Sequence, residues 1–404
     1  MGHICVGQSA EPVQSIAEQS MAGDGTPWGA GDPEQPIIRV VEALMDKFHP
    51  RTRLHLSGSP TVGLPLHVRE AALAASGVPG YAPSGGEPQL REAIAASLAA
   101  RGVTASPGQV LVTGGAMHAL DLVFRSVLEP GDEVLAAAPS FFIGGLIRLA
   151  GGRLVRFPSP EAQGFRPSWA AVEGLVSKRT KILYVNTPVN PTGYVYDESD
   201  VSAAAELADR NGLLLVSDES LSRFVFGGRQ HLSPAAPGAP DNVLVGSFSK
   251  DFAMPGMRIG YAVLLAVPED LAARMSALLD WSVLSVSRPA QAAAFAAMTG
   301  PDDWLRQMAA DAEERGSRFA RELAAITGLR CLPPSGGLNL FPGFAGDAER
   351  LASDLVMRFG VPVCPGSSFG TFGHFRLQFG GDCEDLRLAV RCVKEAVAAA
   401  GEGT

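Results

Sequence analysis

The chain has no long hydrophobic run, although it is rich in apolar residues. Across its 404 residues, no stretch approaches the ~20 consecutive apolar residues that a membrane-spanning helix requires. The first 30 residues also lack the charged-then-apolar order of a secretory signal peptide. The sequence therefore predicts no membrane partner.

Positive charge and cysteine are scarce as well. Lys and Arg number 33 against 42 Asp and Glu, so the net charge of −9 and the pI near 5.4 argue against a nucleic-acid partner. The cysteines are odd in number and lack metal-ligand spacing, which predicts reduced thiols, a cytoplasmic location and no metal site. They are Cys5, Cys331, Cys364, Cys383 and Cys392.

The composition is that of a globular enzyme. Hydrophobic residues make up 46% of the chain and charged residues 19%. A chain of this length exceeds one small core, so two domains are expected. Predicted strands alternate with predicted helices, for example a helix at Ile37–Phe48 and a buried strand at Glu133–Ala138. This alternation favours an α/β fold with a mostly parallel sheet.

One stretch places a lysine between two predicted buried strands. Lys250 lies beside Ser247 and Ser249, eight positions before Arg258. A lysine amine can form a Schiff base with an aldehyde cofactor, and the two hydroxyls and the guanidinium can hold that cofactor's phosphate. A surface lysine in a Ser/Gly/Pro loop is the alternative interpretation.

The stretch from Ser247 to Tyr261 resembles the cofactor-lysine signature of the class I/II aminotransferases, the fold-type I enzymes that use pyridoxal 5′-phosphate (PLP). Six motifs follow in the family's order, and the resemblance covers roughly residues 37–398. It implies that Lys250 binds PLP covalently and acts as the general base, with Asp218 as the second catalytic residue.

Two glycine-containing turns match phosphate-binding segments of the family. Gly115 and Ala116 join a predicted strand to a predicted helix, where backbone N–H groups and the helix dipole can hold an anion. In the other segment, Tyr81 precedes a helix that Pro88 opens. The resemblance implies that Tyr81 reaches the PLP phosphate of the partner subunit. A half-buried ring with a solvated hydroxyl is the alternative.

Three more residues match positions around the cofactor ring. Phe141 matches the ring that stacks on the pyridine, while Phe142 is expected to pack in the core. Asn190, in an Asn-Pro-Thr-Gly segment, is implied to donate to the phenolic oxygen. Asp218, at the predicted end of a buried strand, matches the aspartate that pairs with the protonated pyridine nitrogen and keeps the ring an electron sink.

Substrate recognition is implied for Arg376, Gly58 and Asn190. Arg376 lies in the middle of a predicted strand, where an inward guanidinium needs an anionic partner such as the α-carboxylate. Gly58 follows a predicted short strand at Leu54–Leu56 and matches a glycine near that carboxylate. An ordinary turn glycine is an equal alternative for Gly58.

Two positions depart from the family. Leu221 stands where the family has a tyrosine that donates to the phenolic oxygen, and a leucine cannot donate. Either another donor replaces this tyrosine, or the Schiff base on Lys250 is tuned differently. Arg288 lies in a segment where the family often has Ser or Thr near the neighbouring active site, and we expect a solvated surface arginine there.

The predicted architecture is a fold-type I α/β protein with a seven-stranded, mostly parallel sheet and a smaller α/β domain. The expected divisions are an N-terminal arm (1–36), the first part of the small domain (37–75), the large PLP-binding domain (76–295) and the rest of the small domain (296–404). The resemblance further implies a homodimer with shared active sites.

The leading functional hypothesis is an aminotransferase that converts an α-amino acid to a keto acid. The alternative is non-transaminating PLP chemistry, namely β- or γ-elimination, replacement or cyclisation, because cofactor motifs do not separate these outcomes. A non-catalytic regulator is a third hypothesis, but residues 1–36 offer no basic DNA-binding module and Lys250 is retained. The sequence does not identify the amino acid.

Overall fold

The structure is a computed structural model that describes residues 37–49, 54, 56–235 and 241–401. The predicted N-terminal arm, residues 1–36, lies outside the described residues.

One seven-stranded sheet organises the described chain. Its strands are Val110–Thr113 (β1), Glu133–Ala138 (β2), Arg153–Pro158 (β3), Thr180–Asn186 (β4), Leu214–Asp218 (β5), Asn242–Ser247 (β6) and Gly260–Leu265 (β7). They lie in the order β1-β7-β6-β5-β4-β2-β3, with β7 antiparallel to both neighbours and all other pairs parallel. The prediction of a mostly parallel seven-stranded sheet is confirmed.

The helices alternate with these strands and continue beyond them. In the described part of the chain, no helix is long and apolar enough to cross a membrane. The helices are Ile37–Phe48 (α1), Leu66–Ser76 (α2), Pro88–Ala99 (α3), Ala116–Val127 (α4), Gly144–Leu149 (α5), Trp169–Val172 (α6), Glu198–Asn211 (α7), Phe248–Asp251 (α8), Glu269–Val283 (α9), Arg288–Thr299 (α10), Asp303–Ala324 (α11), Ala348–Phe359 (α12) and Cys383–Gly401 (α13). Short 3₁₀ helices lie at Pro107–Gln109, Glu161–Gln163, Glu173–Leu175, Pro255–Met257 and Gly366–Phe369.

The central strands are buried on both faces, so their side chains pack into two hydrophobic cores, one on each face of the sheet. Along β4, Ile182 and Tyr184 belong to a cluster that includes residues of α4 and α9. Leu183 and Val185 point the other way and pack in a second cluster with residues of α7. This alternation follows the two-residue period of a strand, and it explains why the middle of β4, from Ile182 to Val185, is hydrophobic without a break.

The C-terminal part carries two small antiparallel sheets. Strands Leu329–Arg330 (β8) and Gly343–Phe344 (β10) pair with each other, while Asn339–Leu340 (β9), Cys364–Pro365 (β11) and Phe375–Gln378 (β12) form the order β11-β12-β9. Strand β12, which carries Arg376, lies in the middle of that sheet.

The predicted strand at Leu54–Leu56 is wrong for its described residues. Neither Leu54 nor Leu56 is in a strand, and His55 lies outside the described residues. β12 pairs with two residues each of β11 and β9, and neither Leu54 nor Leu56 is paired with it. The chain following Leu56 hydrogen bonds instead to the loop after β12, where Gly380 N donates to the carbonyl oxygen of Ser57 (2.8 Å).

Three neighbouring parallel strands end in polar residues at one edge of the sheet. Asn186, Asp218 and Ser247 are the last residues of β4, β5 and β6. The register pairs Asn186 with Asp218, and it pairs Ser247 with Gly260 at the start of β7. The carboxyl edge of a parallel sheet is where α/β proteins bind ligands.

A buried ionic cluster lies directly after Asp218. The carboxylate of Glu219 is almost fully buried and accepts hydrogen bonds from Arg101 Nη2 (2.5 Å) and His231 Nε2 (2.9 Å). The hydroxyls of Ser217 and Ser233 also donate to it. Burial alone would raise the pKa of Glu219, but His231 and Arg101 outweigh burial and hold this pKa at about 2.

Replacing Glu219 by Gln should destabilise the fold. The change leaves the guanidinium of Arg101 without its buried counter-charge, so the free energy of unfolding should fall by about 3 kcal/mol. Urea unfolding at pH 7 measures this difference. The exposed Glu173, which lies 3.9 Å from Arg210, gives the matched control Glu173→Gln, whose effect should stay below about 0.5 kcal/mol.

The pH dependence has a definite sign. The Glu219 pKa is lower in the folded chain than in the unfolded chain, where it is about 4.3. Its stabilising contribution is therefore complete above about pH 5 and is lost as the pH falls from about 4 towards 2. The Glu219→Gln variant should lack this part of the acid dependence. Equal stability of variant and parent at pH 7 would refute the assignment.

Candidate functional site

Lys250 lies in the four-residue helix α8, between β6 and β7, and lines a cavity at the carboxyl edge of the sheet. Its Nζ makes no hydrogen bond or ion pair with any described residue. Burial, together with the positive charges of Arg258 and Arg376, lowers the pKa of Lys250 to about 8. The neutral amine, which a nucleophile or a base requires, is therefore more populated near neutral pH than for an ordinary lysine.

One end of the cavity is built to hold an anion. Ser249 Oγ accepts a hydrogen bond from Arg258 Nη1 (3.3 Å), and Ser247 Oγ accepts one from the backbone N of Ser249 (3.1 Å). Helix α4 begins beside them, so its first N–H groups and its positive dipole end face this region. Two hydroxyls, a guanidinium and a helix N-terminus are a donor set that fits a phosphate.

Glycine is required where α4 meets Arg258. Gly115 has a φ of +99°, and a Cβ built on it would lie 2.7 Å from Arg258 Nη2. Gly260 faces the same turn, where a Cβ would lie 2.9 Å from the backbone N of Ala116. The absence of both side chains lets the backbone and the guanidinium approach closely around the anion position.

The other end of the cavity holds a buried carboxylate that has only neutral partners. Asp218 accepts hydrogen bonds from Tyr184 OH (2.9 Å) and from Ser220 Oγ (2.5 Å) and N (3.1 Å). It forms no ion pair with a described residue. Burial raises the pKa of Asp218, and the hydrogen bonds oppose this rise only in part. A cationic ligand atom, such as a protonated ring nitrogen, would keep this carboxylate ionised.

The structure brings most of the predicted site residues to this one cavity. Its lining contains the predicted residues Ala116, Phe141, Asn190, Asp218, Ser247, Ser249, Lys250 and Arg258. It also contains residues that sequence reasoning missed, namely Met117, Leu120, Asn186 and Ser220. The strand-end position of Asn186 and the two-residue spacing of Ser220 from Asp218 are the sequence signals that point to those two residues.

Arg376 lies beside this cavity and carries a charge without a described carboxylate partner. It is buried, and it donates to Asn190 Oδ1 (3.3 Å) and more weakly to Cys364 Sγ (3.4 Å). Its guanidinium lies 5.5 Å from the ring of Phe142 and 4.9 Å from that of Phe369. These rings hold the guanidinium in place, and an anionic ligand such as a carboxylate would supply the missing counter-charge.

Phe142 therefore has a second contact that the sequence did not indicate. It packs against the core, as predicted, and its ring also lies against Arg376.

Four predicted residues are not part of the cavity lining: Gly115 and Arg376, which lie beside it, and Gly58 and Tyr81. A Cβ on Gly58 would lie 2.2 Å from Gln378 Nε2, which places Gly58 against the end of β12. Tyr81 is 79% exposed and does not reach the cavity of its own chain.

Leu221 is buried in the cavity wall. The hydroxyls of Tyr184 and Ser220 both donate to Asp218, so neither replaces the family's tyrosine as a donor. Asn190 Nδ2 makes no hydrogen bond to a described residue and is available to a ligand. Leu221 itself adds only apolar surface to the cavity lining.

The expectation that Arg288 is a solvated surface arginine is wrong. Its guanidinium donates to Glu87 Oε1 (2.7 Å) and to the carbonyl oxygen of Tyr81 (2.6 Å), and its side chain is only 27% exposed. The partners lie about 200 residues earlier in the chain, so no local pattern reveals the contact.

The described residues contain no group of His, Cys, Asp and Glu side chains that could hold a metal ion. What the cavity offers is an amine of lowered pKa between an anion site and a buried carboxylate. This arrangement suits an aldehyde-bearing, phosphorylated, nitrogen-containing ring.

Comparison with known proteins agrees with this chemistry. The family model for aminotransferase class I and II matches residues 24–393. A probable aspartate/prephenate aminotransferase from Aquifex aeolicus is 36% identical over 358 residues, which cover 84% of this chain and 90% of that protein. The aspartate/prephenate aminotransferase from Thermus thermophilus is 34% identical over 342 residues, which cover 83% and 88% respectively.

Solved structures show the same fold. The alanine aminotransferase from Pyrococcus furiosus superposes with a TM-score of 0.85 at 27% identity, covering 91% of this chain and 98% of that one. The expected fold-type I class is thereby confirmed. The chain belongs to the class I and II aminotransferases, a PLP-dependent family of transferase enzymes.

Proposed function

We propose that this protein binds PLP in the described cavity and transfers the amino group of an α-amino acid to a keto acid. The observation that carries the proposal is the position of Lys250, between the anion site at Arg258 and the cation-free carboxylate of Asp218. These three groups match the aldehyde, the phosphate and the ring nitrogen of one cofactor.

Each end of the cofactor has its own set of residues in this proposal. Ser247, Ser249, Arg258 and the backbone of Gly115 and Ala116 hold the phosphate.

The ring is held by the remaining residues. Asp218 pairs with the ring nitrogen, Phe141 stacks on the ring, and Asn190 Nδ2 donates to the phenolic oxygen. Tyr184 supports Asp218, because burial beside that carboxylate raises the pKa of the Tyr184 phenol and its hydroxyl remains a donor.

Lys250 moves the proton. When bound, PLP supplies an electron sink that stabilises the carbanion left at the amino acid's α-carbon. Lys250 Nζ would hold the cofactor's aldehyde, and with the substrate amine bound it would be the group placed to take the α-proton as general base. In transamination, the same Nζ would also be the group that gives the proton back. The lowered pKa of Lys250, about 8, is consistent with these roles.

Arg376 orients the substrate in this scheme. A bidentate pair between its guanidinium and the α-carboxylate fixes the amino acid against the cofactor, and Asn190 and the backbone of Gly58 complete this region.

The proposed assembly is a homodimer with shared active sites, because Tyr81 is exposed and fits a ligand of the neighbouring phosphate. The proposed large domain, residues 76–295, contains the whole seven-stranded sheet, and residues 37–75 and 296–404 form the proposed small domain. A cytoplasmic location is proposed from the scattered cysteines of the sequence.

A second candidate is elimination, replacement or cyclisation on the same carbanion. Leu221 favours it, because the cavity lacks the hydroxyl that the family uses at the phenolic oxygen. The two candidates differ in the destination of the next proton and in whether a side-chain substituent is lost.

The product pattern tests the proposed function. The purified protein loaded with PLP should convert more than one equivalent of an amino acid to its keto acid only when a keto-acid acceptor is present. Aspartate is the first donor to try, because relatives are named for it. Mass spectrometry identifies the products, and Lys250→Ala serves as the inactive control. Products that form without an acceptor and lack a side-chain substituent would replace transamination by the second candidate.

Borohydride reduction of the PLP-loaded protein should attach the cofactor to a single peptide, the one that contains Lys250. The label should disappear in Lys250→Arg, because a guanidinium does not form the covalent link. Peptide mapping by mass spectrometry is the measurement. A label that persists on another lysine in this variant would contradict the assignment.

Arg376→Ala should weaken amino-acid binding without weakening PLP binding. Loss of the desolvated partner of the α-carboxylate should cost about 2 to 5 kcal/mol in amino-acid affinity. Spectral titration of the loaded protein gives both constants. Arg376→Lys should recover only part of the loss, because a lysine cannot form the bidentate pair.

The exposed Arg321 provides the control Arg321→Ala, which should leave both constants unchanged. If Arg376→Ala bound amino acids as well as the parent, another residue would be the carboxylate anchor.

A further inference from the structure

The segment that carries Tyr81 is irregular but firmly attached. Between α2 and α3, residues 77–87 contain no helix or strand. The carbonyl oxygen of Gly85 accepts a hydrogen bond from Val112 N (3.0 Å), which ties the segment to β1. Gly86 has a φ of +105°, and a Cβ there would lie 2.3 Å from Val112 Cγ2. Residues 81–87 of this segment, called here the Tyr81 loop, therefore pack against the sheet at their C-terminal end.

Helix α10 attaches the same loop from a second side. Its first residue, Arg288, spans the loop, because Nη2 donates to the carbonyl oxygen of Tyr81 (2.6 Å) and Nη1 donates to Glu87 Oε1 (2.7 Å). One turn later, Gln291 is fully buried and its Oε1 accepts from the backbone N of Glu87 (2.7 Å). Gln291 Nε2 donates to the carbonyl oxygen of Val286 (2.8 Å).

The contacts fix the backbone of the loop and leave the aromatic ring outside. The side chain of Tyr81 is 79% exposed, while its carbonyl oxygen is held by Arg288. A solvated tyrosine on a free loop would lose backbone and side-chain entropy on meeting a ligand. Holding the backbone in advance removes part of this cost, which is the usual benefit of pre-organisation.

The geometry also explains why an arginine is needed. The two bonds leave from two different terminal nitrogens of one planar guanidinium, toward a carbonyl oxygen and a carboxylate. A lysine offers one ammonium on a flexible stem and does not span both acceptors with a fixed spacing.

From these contacts, we propose that Arg288 is a positioning residue for the cofactor phosphate of a second copy of this chain. It acts through Tyr81 by holding the Tyr81 loop, with Gln291 as its support. The proposal rests on the proposed function, because it needs PLP and a shared phosphate site.

A double-mutant cycle on cofactor affinity tests the proposal. The affinity of the apoprotein dimer for PLP is measured by absorbance titration in the parent, Arg288→Met, Tyr81→Phe and the double variant. Each single change should weaken PLP binding about tenfold, the loss expected for one hydrogen bond to a charged group. The double variant should be little worse than either single variant, because both changes remove the same contact.

Pyridoxal, which lacks the phosphate, is the second probe. The affinity for pyridoxal should be the same in the parent and in all three variants. A general loss of structure would instead weaken the binding of both ligands. Arg274→Met removes an exposed guanidinium that pairs with Asp270 on α9, and it should leave PLP affinity unchanged. If Arg288→Met does not fold, Arg288→Lys takes its place, since it keeps the charge and loses the two-point contact.

The outcomes distinguish the positioning role of Arg288 from the proposed PLP-dependent function. Independent effects of Arg288 and Tyr81, or equal losses for PLP and pyridoxal, would overturn the positioning role. An unchanged PLP affinity in Tyr81→Phe would also overturn it while leaving a PLP enzyme in place. Failure of the parent to bind PLP would instead refute the proposed function itself.

Discussion

The positive charges around Lys250 are the constraint on which the site depends. The amine is largely buried, and Arg258 and Arg376 both disfavour its protonation. Neither guanidinium has a described carboxylate partner, although each has hydrogen bonds that hold it in place. Such an arrangement requires anions at both ends, and a phosphate and a carboxylate match the two positions. Burial, and after it the repulsion from these two guanidinium groups, lowers the pKa of Lys250 to about 8.

Two adjacent carboxylates show how the fold separates structural from chemical roles. Asp218 and Glu219 are both buried at the end of β5, but successive residues of an extended chain point to opposite sides. Glu219 meets Arg101 and His231, which hold its pKa at about 2 and make it part of the scaffold. Asp218 meets only neutral donors, so burial raises its pKa and leaves it in need of a cation. The difference lies in the partners rather than in the residue type.

Much of the fold and of the site follows from local sequence. The predicted helix Ile37–Phe48 and the predicted strand Glu133–Ala138 coincide with the observed bounds, because apolar periodicity selects the helix and an apolar run selects the buried strand. The ends of the strands could also be predicted from the sequence. Polar residues such as Asp218 were therefore expected at the edge of the parallel sheet where ligands bind. Residue chemistry indicated the lysine, the serines and the arginines, since few side chains can hold an aldehyde and a phosphate.

The amino-acid sequence by itself determined the alternation of strands and helices, the residues able to carry the chemistry and the family resemblance. Only the tertiary structure decided which distant residues meet. It engaged Arg288 with Glu87, 201 positions away, and placed Phe142 against Arg376. It also left the described residues Leu54 and Leu56 outside any strand. Periodicity and propensity act over a few residues, whereas such contacts depend on how separate elements pack.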